Sequence, residues 1–374
     1  MKIAIYGAQG IALGTYEALT AVSPDADIVC FVVTQYGNNA KMLAGLPVLE
    51  LDAFAEKYAG EIADGEIKVI IATPEAVMDE IETGLADKGI ANVERMTSAR
   101  YSVLWKKYQG EKRDFLPIFS YSELAGNERP ETVLIYMARF HKDKPLERAI
   151  EKQDYYREIQ VGAAGTEECI KSMWSDREIL KDNAGDNISG KNCNYSELTA
   201  LFWVWKHVLS GADRGKDRRE SYYGLCHYRR QLDILHVEID ELNKRNIDVV
   251  LPFPMPYEPD INAHHERYLS DSDWNAVLQA LKELQPEYYR GASDVFSQRY
   301  LYNYNLILAR RDVLADYCGW LFPVLLRVEE LSVPKGSERS DRYIGYIAEN
   351  LETLYFMKNR DKLRIAHTGC LFRK

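Results

Sequence analysis

The sequence contains few cysteines, and no two of them lie close together. Only six of the 374 residues are Cys, and the nearest pair, Cys169 and Cys193, is 24 positions apart. A zinc knuckle or a dithiol redox motif needs ligands only a few residues apart, so both kinds of site are excluded. A chain of this length folds without disulfide bonds, and we expect reduced thiols in a cytoplasmic protein.

The sequence also has no excess of positive charge and no long apolar run. Its 47 Lys and Arg residues against 57 Asp and Glu residues give a formal net charge of -10, which argues against a nucleic-acid partner. The most apolar stretch, residues 319–326, is too short to cross a bilayer, and the amino terminus has no signal-peptide core. We interpret the basic residues between 206 and 219 as a solvated loop. The alternative is peripheral docking at the inner membrane face.

Short apolar strands alternate with helical segments over the first hundred residues. Strands are predicted at residues 2–6, 28–33 and 68–72. A helical pattern follows the Gly-rich turn 7–14 and runs to about Val22, and another helix is predicted from Glu75. This alternation predicts an α/β fold with a Rossmann-like parallel-sheet domain over residues 1–108. Glycines, prolines and charged residues indicate a linker over 109–132, and a second domain is expected over 133–374.

The first predicted turn contains Gly7, Gly10 and Gly14, spaced GxxGxxxG and not GxGxxG. The second strand ends without an acidic residue for a ribose, so NAD binding is only weakly supported. A tight strand-to-helix turn explains Gly7 equally well. The region resembles the amino-terminal domain of bacterial sugar acyltransferases. Two alternatives therefore stay open: an NAD-dependent nucleotide-sugar oxidoreductase or epimerase, and a non-catalytic sugar-nucleotide-binding or interaction module.

A polar, Gly-rich loop spans residues 182–192 and precedes a predicted helix. The loop contains Asp182, Asp186 and Asn187, and its composition is typical of loops that bind ligands. A solvated surface loop is the alternative, because it has the same composition. The helix is expected to begin at Asn194, with Glu197 three residues later as in a capping box.

The segment 222–230 is the most unusual in the chain. A buried strand at 223–226 is predicted to deliver His227, Arg229 and Arg230 at its carboxyl end, where ligands bind in open α/β sheets. Three such side chains match a diphosphate, while a structural salt-bridge cluster is the alternative. A further polar group, His141 and Lys142, follows the predicted strand 133–138.

Six segments together resemble the bacterial glycosyltransferases of capsule, exopolysaccharide and O-antigen synthesis, a family long catalogued as a domain of unknown function. The resemblance covers residues 134–363 and implies a GT-A-like enzyme that uses a nucleotide-sugar donor, expected to be UDP-linked, and a glycan or lipid-linked glycan acceptor. The residues that we assign to the donor side are His141, Lys142, Asp182, Asp186, Asn187, Asn194, Tyr195, Glu197, Arg229, Arg230, Asn303, Asn305 and Arg342. The matching segments are GDNIS (185–189), NYSELTALFWVWK (194–206), GLCHYRR (224–230), NAHHE (262–266), LYNYNLILARRDVLADYCGWLF (301–322) and RYIGYIAENL (342–351).

Cleavage of a sugar–diphosphate bond needs positive charge at the leaving group. We expect the side chains of the segment 227–230 to supply it, so that no metal is required, and we expect Arg229→Ala to lower turnover strongly. His227 is assigned a catalytic role. The alternative is a Mn²⁺ or Mg²⁺ ion held by Asp182 and Asp186.

A strand is predicted over 301–309, which would place Asn303 and Asn305 on one face, toward sugar hydroxyls or toward partners inside the sheet. A helix capped by Ser340 would place Arg342 and Glu349 on one face.

Glu349 is the predicted general base, and Asp341 is the second choice. An ordinary surface ion pair is the alternative interpretation of Glu349. His264 and His265 point apart, so they are expected to line the acceptor cleft and not to hold a metal ion.

Overall fold

The computed structural model describes residues 1–124, 128–174, 178–210 and 221–373. Within them the chain builds two large sheets, one from residues 2–95 and one from residues 132–372. The predicted α/β class is confirmed. Arg214, Lys216, Arg218 and Arg219, which the sequence offered for membrane docking, lie outside the described residues. No helix in the described part of the chain is both long and apolar enough to cross a bilayer.

The first sheet has the strand order β3-β4-β2-β1-β5-β6 and is parallel except for β3. Its central strands are buried on both faces, as their continuous apolar runs predict. The strands are β1 (Lys2–Tyr6), β2 (Asp27–Val33), β3 (Met42–Leu43), β4 (Leu46–Glu50), β5 (Ile67–Ile71) and β6 (Val93–Arg95). The helices are α1 (Gly10–Val22), α2 (Leu51–Lys57), α3 (Ala59–Ala63), α4 (Met78–Asp87) and α5 (Ser98–Lys112).

The second sheet has eight strands in the order β11-β16-β12-β15-β10-β7-β8-β9, and a short pair, β13-β14, stands apart. Its strands are β7 (Thr132–Arg139), β8 (Tyr156–Gln160), β9 (Leu180–Lys181), β10 (Ser221–His227), β11 (Arg230–Asp233), β12 (Val249–Pro252), β13 (Met255–Pro256), β14 (Tyr300–Leu301), β15 (Ile307–Arg310) and β16 (Ile365–Phe372). The helices are α6 (Asn192–Tyr195), α7 (Leu198–Val204), α8 (His236–Lys244), α9 (Ile261–His265), α10 (Asp271–Leu284), α11 (Pro286–Phe296), α12 (Arg311–Leu331) and α13 (Tyr343–Asn359).

Strand direction brings several loops to one edge of the second sheet. Strands β7, β8, β10, β12 and β16 run parallel, so their carboxyl ends lie at the same edge. Strand β15 runs antiparallel to its neighbours, so its amino end reaches that edge as well. The residues after β7 and β10 therefore meet the residues before β15, and this edge is where a ligand is expected.

Helix α5 fastens the first sheet to the second. It packs along β16, and a side chain at Gly369 would collide with Ser102, whose Cβ lies 2.3 Å from the position a new Cβ would take. Ser98 Oγ accepts a 2.8 Å hydrogen bond from the backbone of Phe372, and Lys106 forms a 3.3 Å ion pair with Asp233. The carboxyl edges of the two sheets consequently face each other.

Three predictions about local structure are wrong. Residues 301–309 do not form one strand, because Tyr304 and Asn305 have φ of 77° and 51°, which breaks the extended chain between β14 and β15. The helix expected from Asn194 is interrupted at Ser196, where φ is 50°. Helix α13 begins after Arg342 and not after Ser340.

Candidate functional site

A polar cleft lies at the carboxyl edge of the second sheet, in two adjoining parts that share Arg342. We call the part beside Glu197 and His227, of about 360 Å³, the inner cleft. We call the part beside Glu349, of about 200 Å³, the outer cleft. Strand β10 delivers His227 to this edge, while Arg342 and Glu349 come from the start and the body of helix α13.

Glu197 and Arg342 form the charged centre of the cleft. Arg342 donates a 2.7 Å hydrogen bond to Glu197 Oε1, and Asn305 Nδ2 donates to the same oxygen at 2.9 Å. Burial raises the pKa of Glu197, but the charge of Arg342, together with the Asn305 hydrogen bond, opposes it, and the net pKa is lowered. The Glu197 carboxylate is thus ionised, and it helps to hold the Arg342 guanidinium in place.

His227 is a neutral side chain in the wall of the inner cleft, which corrects the expectation of a third cation. Burial lowers the pKa of His227 to about 4, more than Glu197 raises it. The backbone N–H of Arg229 donates to His227 Nδ1 at 3.2 Å, so the neutral ring carries its proton on Nε2. The ring can therefore act as a hydrogen-bond donor, but it adds no positive charge at neutral pH.

Glu349 lies in the outer cleft and is only 7% exposed. Burial, reinforced by the charge of Glu197, raises its pKa to about 7, although Arg342 and the hydrogen bond from Asn303 oppose the shift. Asn303 Nδ2 donates to Glu349 Oε2 at 3.2 Å. A carboxyl group with a pKa near neutrality can accept a proton from a ligand hydroxyl, which is what a general base requires.

The two asparagines reach the cleft by a different route from the one predicted. The left-handed residues Tyr304 and Asn305 reverse the chain locally, so Asn303 contacts Glu349 while Asn305 contacts Glu197. Each amide thus orients one of the two carboxylates. The sequence analysis selected two asparagines that do reach the cleft, but the strand face that they were predicted to share does not exist.

His264 and His265, which the sequence analysis assigned to the acceptor side, both line the outer cleft. The His264 ring stacks on Tyr257 with centroids 3.5 Å apart, and the His265 ring stacks on Trp274 at 3.9 Å. Burial lowers the pKa of His264 to about 3 and also lowers that of His265, so both rings are neutral. Their stacking favours an aromatic wall over a metal site.

The two arginines after β10 have different surroundings. Arg229 donates from Nε to Tyr228 at 2.6 Å and from its terminal nitrogens to the backbone carbonyls of Lys144 and Arg373. The Arg229 guanidinium thus donates its hydrogen bonds to other parts of the protein. This arrangement indicates a structural role in place of the expected phosphate contact. Arg230 lies over the Tyr304 ring at 4.5 Å and lines the outer cleft. Among the described residues nothing hydrogen-bonds to its guanidinium, so Arg230 is free to meet a ligand.

The acidic residues of the loop 182–192 do not share a site. Asp182 is fully buried and accepts hydrogen bonds from the backbone of Gly162 at 2.9 Å and of Ala163 at 3.1 Å, and from Ser189. Asp186 is exposed and pairs with Lys206 at 3.1 Å. In the described ranges, no group of three His, Cys, Asp or Glu side chains could hold a metal ion. The paired aspartates that the metal alternative needs are therefore not brought together.

Three further residues assigned to the donor side stabilise the fold instead. Asn187 hydrogen-bonds within its own loop, to the carbonyls of residues 183 and 185. Asn194 Nδ2 donates to the carbonyls of Arg339 and Asp341, so the expected capping box with Glu197 is wrong. Tyr195 is fully buried and donates to Glu329 at 3.0 Å.

The remaining candidates lie at or beyond the margin of the cleft. Asp341 is exposed, and its carboxylate is held by Arg339, so the second-choice base is engaged in a surface ion pair. The His141 ring contacts that of Phe140, a wall residue of the inner cleft, in a tilted arrangement with centroids 4.2 Å apart. Its Nδ1 is buried without a hydrogen-bond partner among the described residues. Lys142 is exposed.

Sequence reasoning missed the aromatic residues of the outer cleft. Tyr257 donates to Asn303 Oδ1 at 3.4 Å, and Tyr268 stacks on Tyr346 at 4.8 Å beside it. Tyr257 stands in the proline-rich run 252–259, which has neither helical nor strand periodicity. An aromatic residue between prolines was the available signal, and it is a weak one.

Close packing accounts for the glycines of the first turn. Gly7 has φ of 127°, and a Cβ there would lie 2.6 Å from the carbonyl oxygen of Ala72. A Cβ at Gly10 would lie 3.1 Å from the Tyr257 ring, and one at Gly14 would lie 2.1 Å from Tyr101 Oη. The spacing therefore does not require a dinucleotide, and the main sequence argument for the NAD alternative is lost.

A family model described as "Domain of unknown function (DUF4422)" matches residues 135–360. This match spans more than half of the chain and contains every residue that lines the inner and outer clefts. The chain belongs to the DUF4422 family. No curated protein matches it significantly.

Among solved structures, the chain is similar to the apo form of WbbM, which is described as a bifunctional glycosyltransferase. The identity is 27% and the TM-score is 0.51, over 65% of this chain and 45% of the other. The DUF4422 protein thus spans less than half the length of that relative. The similarity supports membership of a glycosyltransferase-like family.

Proposed function

We propose that this DUF4422 protein is a glycosyltransferase that moves a sugar from a nucleotide donor, UDP-linked in our proposal, to a precursor of a surface polysaccharide. The observation that carries the proposal is the pairing of two buried glutamates of opposite character in one cleft, one with its pKa lowered and one with its pKa raised to about 7. Opposed environments for two titratable groups are typical of acid–base sites. The similarity to WbbM adds independent support.

The inner cleft is the proposed place for the donor's diphosphate. Arg342 stands at the junction of the two parts of the cleft, and Arg230 lines the outer part. As the bond between the anomeric carbon and the phosphate oxygen breaks, its electron pair stays on the diphosphate. Fixed guanidinium groups offset that growing charge without reorganising. His227 can donate one further hydrogen bond from Nε2.

The outer cleft is the proposed place for the acceptor. An acceptor hydroxyl attacks the anomeric carbon and loses its proton to Glu349. Asn303 holds Glu349 at 3.2 Å, and the aromatic wall of Tyr257 and His264 gives a sugar ring a flat surface to stack on. We propose that a GT-A-like arrangement underlies this division into donor and acceptor sides, and that the reaction needs no metal.

Release of UDP from UDP-galactose and UDP-glucose, with and without a glycan acceptor, tests the proposal. Glu349→Gln removes the base and leaves the size of the side chain unchanged, so we expect acceptor-dependent turnover to fall by about 10²- to 10⁴-fold. Asp341→Asn is the matched control, because it makes the same chemical change at the exposed second-choice carboxylate. Equal losses in both variants, or none in Glu349→Gln, would refute the assignment of the base.

The same experiment tests the function itself. A transferase releases UDP slowly from its donor even without acceptor. Binding of UDP also raises the melting temperature of the protein. If neither UDP nor any UDP-sugar raises the melting temperature, and NAD does, the proposed donor class is wrong.

A further inference from the structure

A further, smaller chamber opens between the two sheets and adjoins the outer cleft. It has a volume of about 100 Å³. Ile11, Thr73 and Met96 line it from the first sheet and its helices, while Phe253, Cys370 and Phe372 line it from the second. The chamber therefore exists only because the carboxyl edges of the two sheets face each other.

The chamber is continuous with the outer cleft. Arg230, Asn303 and Tyr304 line both of them. Asn303 is the same residue that donates to Glu349. A group bound beside Glu349 can thus extend past Asn303 into the space between the sheets.

The walls of the chamber are chemically unlike the cleft. The inner and outer clefts contain two carboxylates and two arginines, whereas the chamber is lined mainly by aliphatic, aromatic and thioether side chains. The polar part of the chamber wall consists, tyrosines aside, of Thr73, Glu75, Ser98, Ser102, Arg230 and Asn303. An apolar space of this size is stabilised by an apolar occupant and costs stability when it is empty. A bare sugar hydroxyl gains less there than an apolar group does, because most of the lining cannot replace its hydrogen bonds to water.

We propose that the chamber is a specificity pocket for an apolar substituent on the acceptor sugar, such as the methyl end of an acetamido group or the methyl of a 6-deoxy sugar. We assign the chamber to the acceptor because it adjoins the outer cleft, the proposed acceptor side, at Asn303. The inner cleft, proposed for the donor, lies on the other side of Arg342 and Glu349. The inference rests on the proposed function. It also gives the amino-terminal sheet a role, because that sheet supplies one wall of the pocket.

Matched pairs of methyl glycosides test the pocket directly. Binding to the full-length protein, saturated with UDP, is measured by titration for methyl N-acetyl-β-D-glucosaminide against methyl β-D-glucoside, and for methyl β-D-fucoside against methyl β-D-galactoside. Each pair differs only in an acetamido or a deoxy group. Burial of one methyl-sized group discriminates by about tenfold or more in protein pockets, so we expect at least one substituted sugar to bind at least fivefold more tightly than its partner.

Two variants fill the pocket from opposite sides. Cys370→Leu narrows it from the second sheet and Ile11→Phe from the first, and each should reduce the preference to less than twofold while the unsubstituted sugar binds as before. Cys169→Leu makes the same change at an exposed cysteine and should keep the preference. If Cys370→Leu lowers the melting temperature so far that it cannot be measured, Ile11→Phe decides the question.

The outcomes separate the pocket from the proposed reaction. No preference in either pair, a preference that survives both filling variants, or no glycoside binding at all would overturn the pocket. If UDP-sugars are turned over and the preference is absent, only the pocket fails. If no UDP-sugar is turned over but the preference is present and is lost on filling, the proposed transfer fails and the sugar pocket stands.

Discussion

Two segments of this protein bring charged side chains to the same edge of the second sheet, yet they contribute differently. The segment after β10 contains adjacent arginines, and all three guanidinium nitrogens of Arg229 donate to a tyrosine or to backbone carbonyls. The segment at the start of α13 supplies Arg342, whose one strong partner is the cleft residue Glu197. The hydrogen-bond partners of each arginine in the fold indicate which one can bind a phosphate. The density of positive charge in the sequence does not.

The strongest test of this comparison is Arg342→Ala. We expect turnover to fall by about 10²- to 10³-fold, as when one preorganised donor to a developing oxyanion is removed. Because the charge of Arg342 lowers the pKa of Glu349, its loss should also move the ascending limb of the pH–rate profile to higher pH. The profile is measured between pH 5 and 9 at saturating donor.

Arg342→Lys is the control for charge alone. Lysine keeps the positive charge but lacks the planar guanidinium that can donate two parallel hydrogen bonds. We therefore expect partial rescue of the rate, and an ascending limb of the pH–rate profile close to that of the wild type. A pH limb that stays in place in Arg342→Ala would contradict the electrostatic coupling between Arg342 and Glu349.

Arg230→Ala and Arg229→Ala sharpen the contrast between the two neighbours. We expect Arg230→Ala to lower turnover by about tenfold with little change in stability, because its guanidinium has no hydrogen-bond partner in the described part of the chain and a charged hydrogen bond contributes about 1.5–3 kcal/mol. The readouts are kcat, KM for the donor and the melting temperature.

Arg229→Ala should behave in the opposite way. Loss of its contacts to Tyr228 and to the carboxyl-terminal strand should lower the free energy of unfolding by about 1–2 kcal/mol, with kcat within a factor of about three. This replaces the strong effect on turnover that the sequence predicted. A large fall in kcat at unchanged stability would restore the original assignment.

The smallest expected effect is that of removing divalent metal. If guanidinium groups balance the leaving diphosphate, EDTA should change the rate by less than twofold. Strict dependence on Mn²⁺ or Mg²⁺ would show that the arginines do not suffice.

Much of the fold could be predicted because its signals are local. Strands β1, β2, β5, β7 and β10 lie within a few residues of their apolar runs, and helix α1 ends at Val22, where its helical pattern was predicted to end. The break at Tyr304 and Asn305 could not be predicted, because neither residue type demands positive φ and contacts with distant glutamates support the turn.

The candidate site could be predicted only in part. Glu197, Asn303, Asn305, Arg342 and Glu349 were selected and do meet. Asp182 and Tyr195, however, are equally polar in sequence and lie in the interior, with partners as far away as Glu329. Whether a polar side chain serves a ligand or the fold depends on those long-range partners, which the sequence does not display.

A crystal structure with bound UDP tests the central claim most directly. The account predicts that the diphosphate lies within hydrogen-bonding distance of Arg342 or Arg230, with His227 Nε2 beside it and Glu349 facing the open side. Phosphates found away from both arginines, for example against the loop 182–192 or the first turn at Gly7, would contradict it.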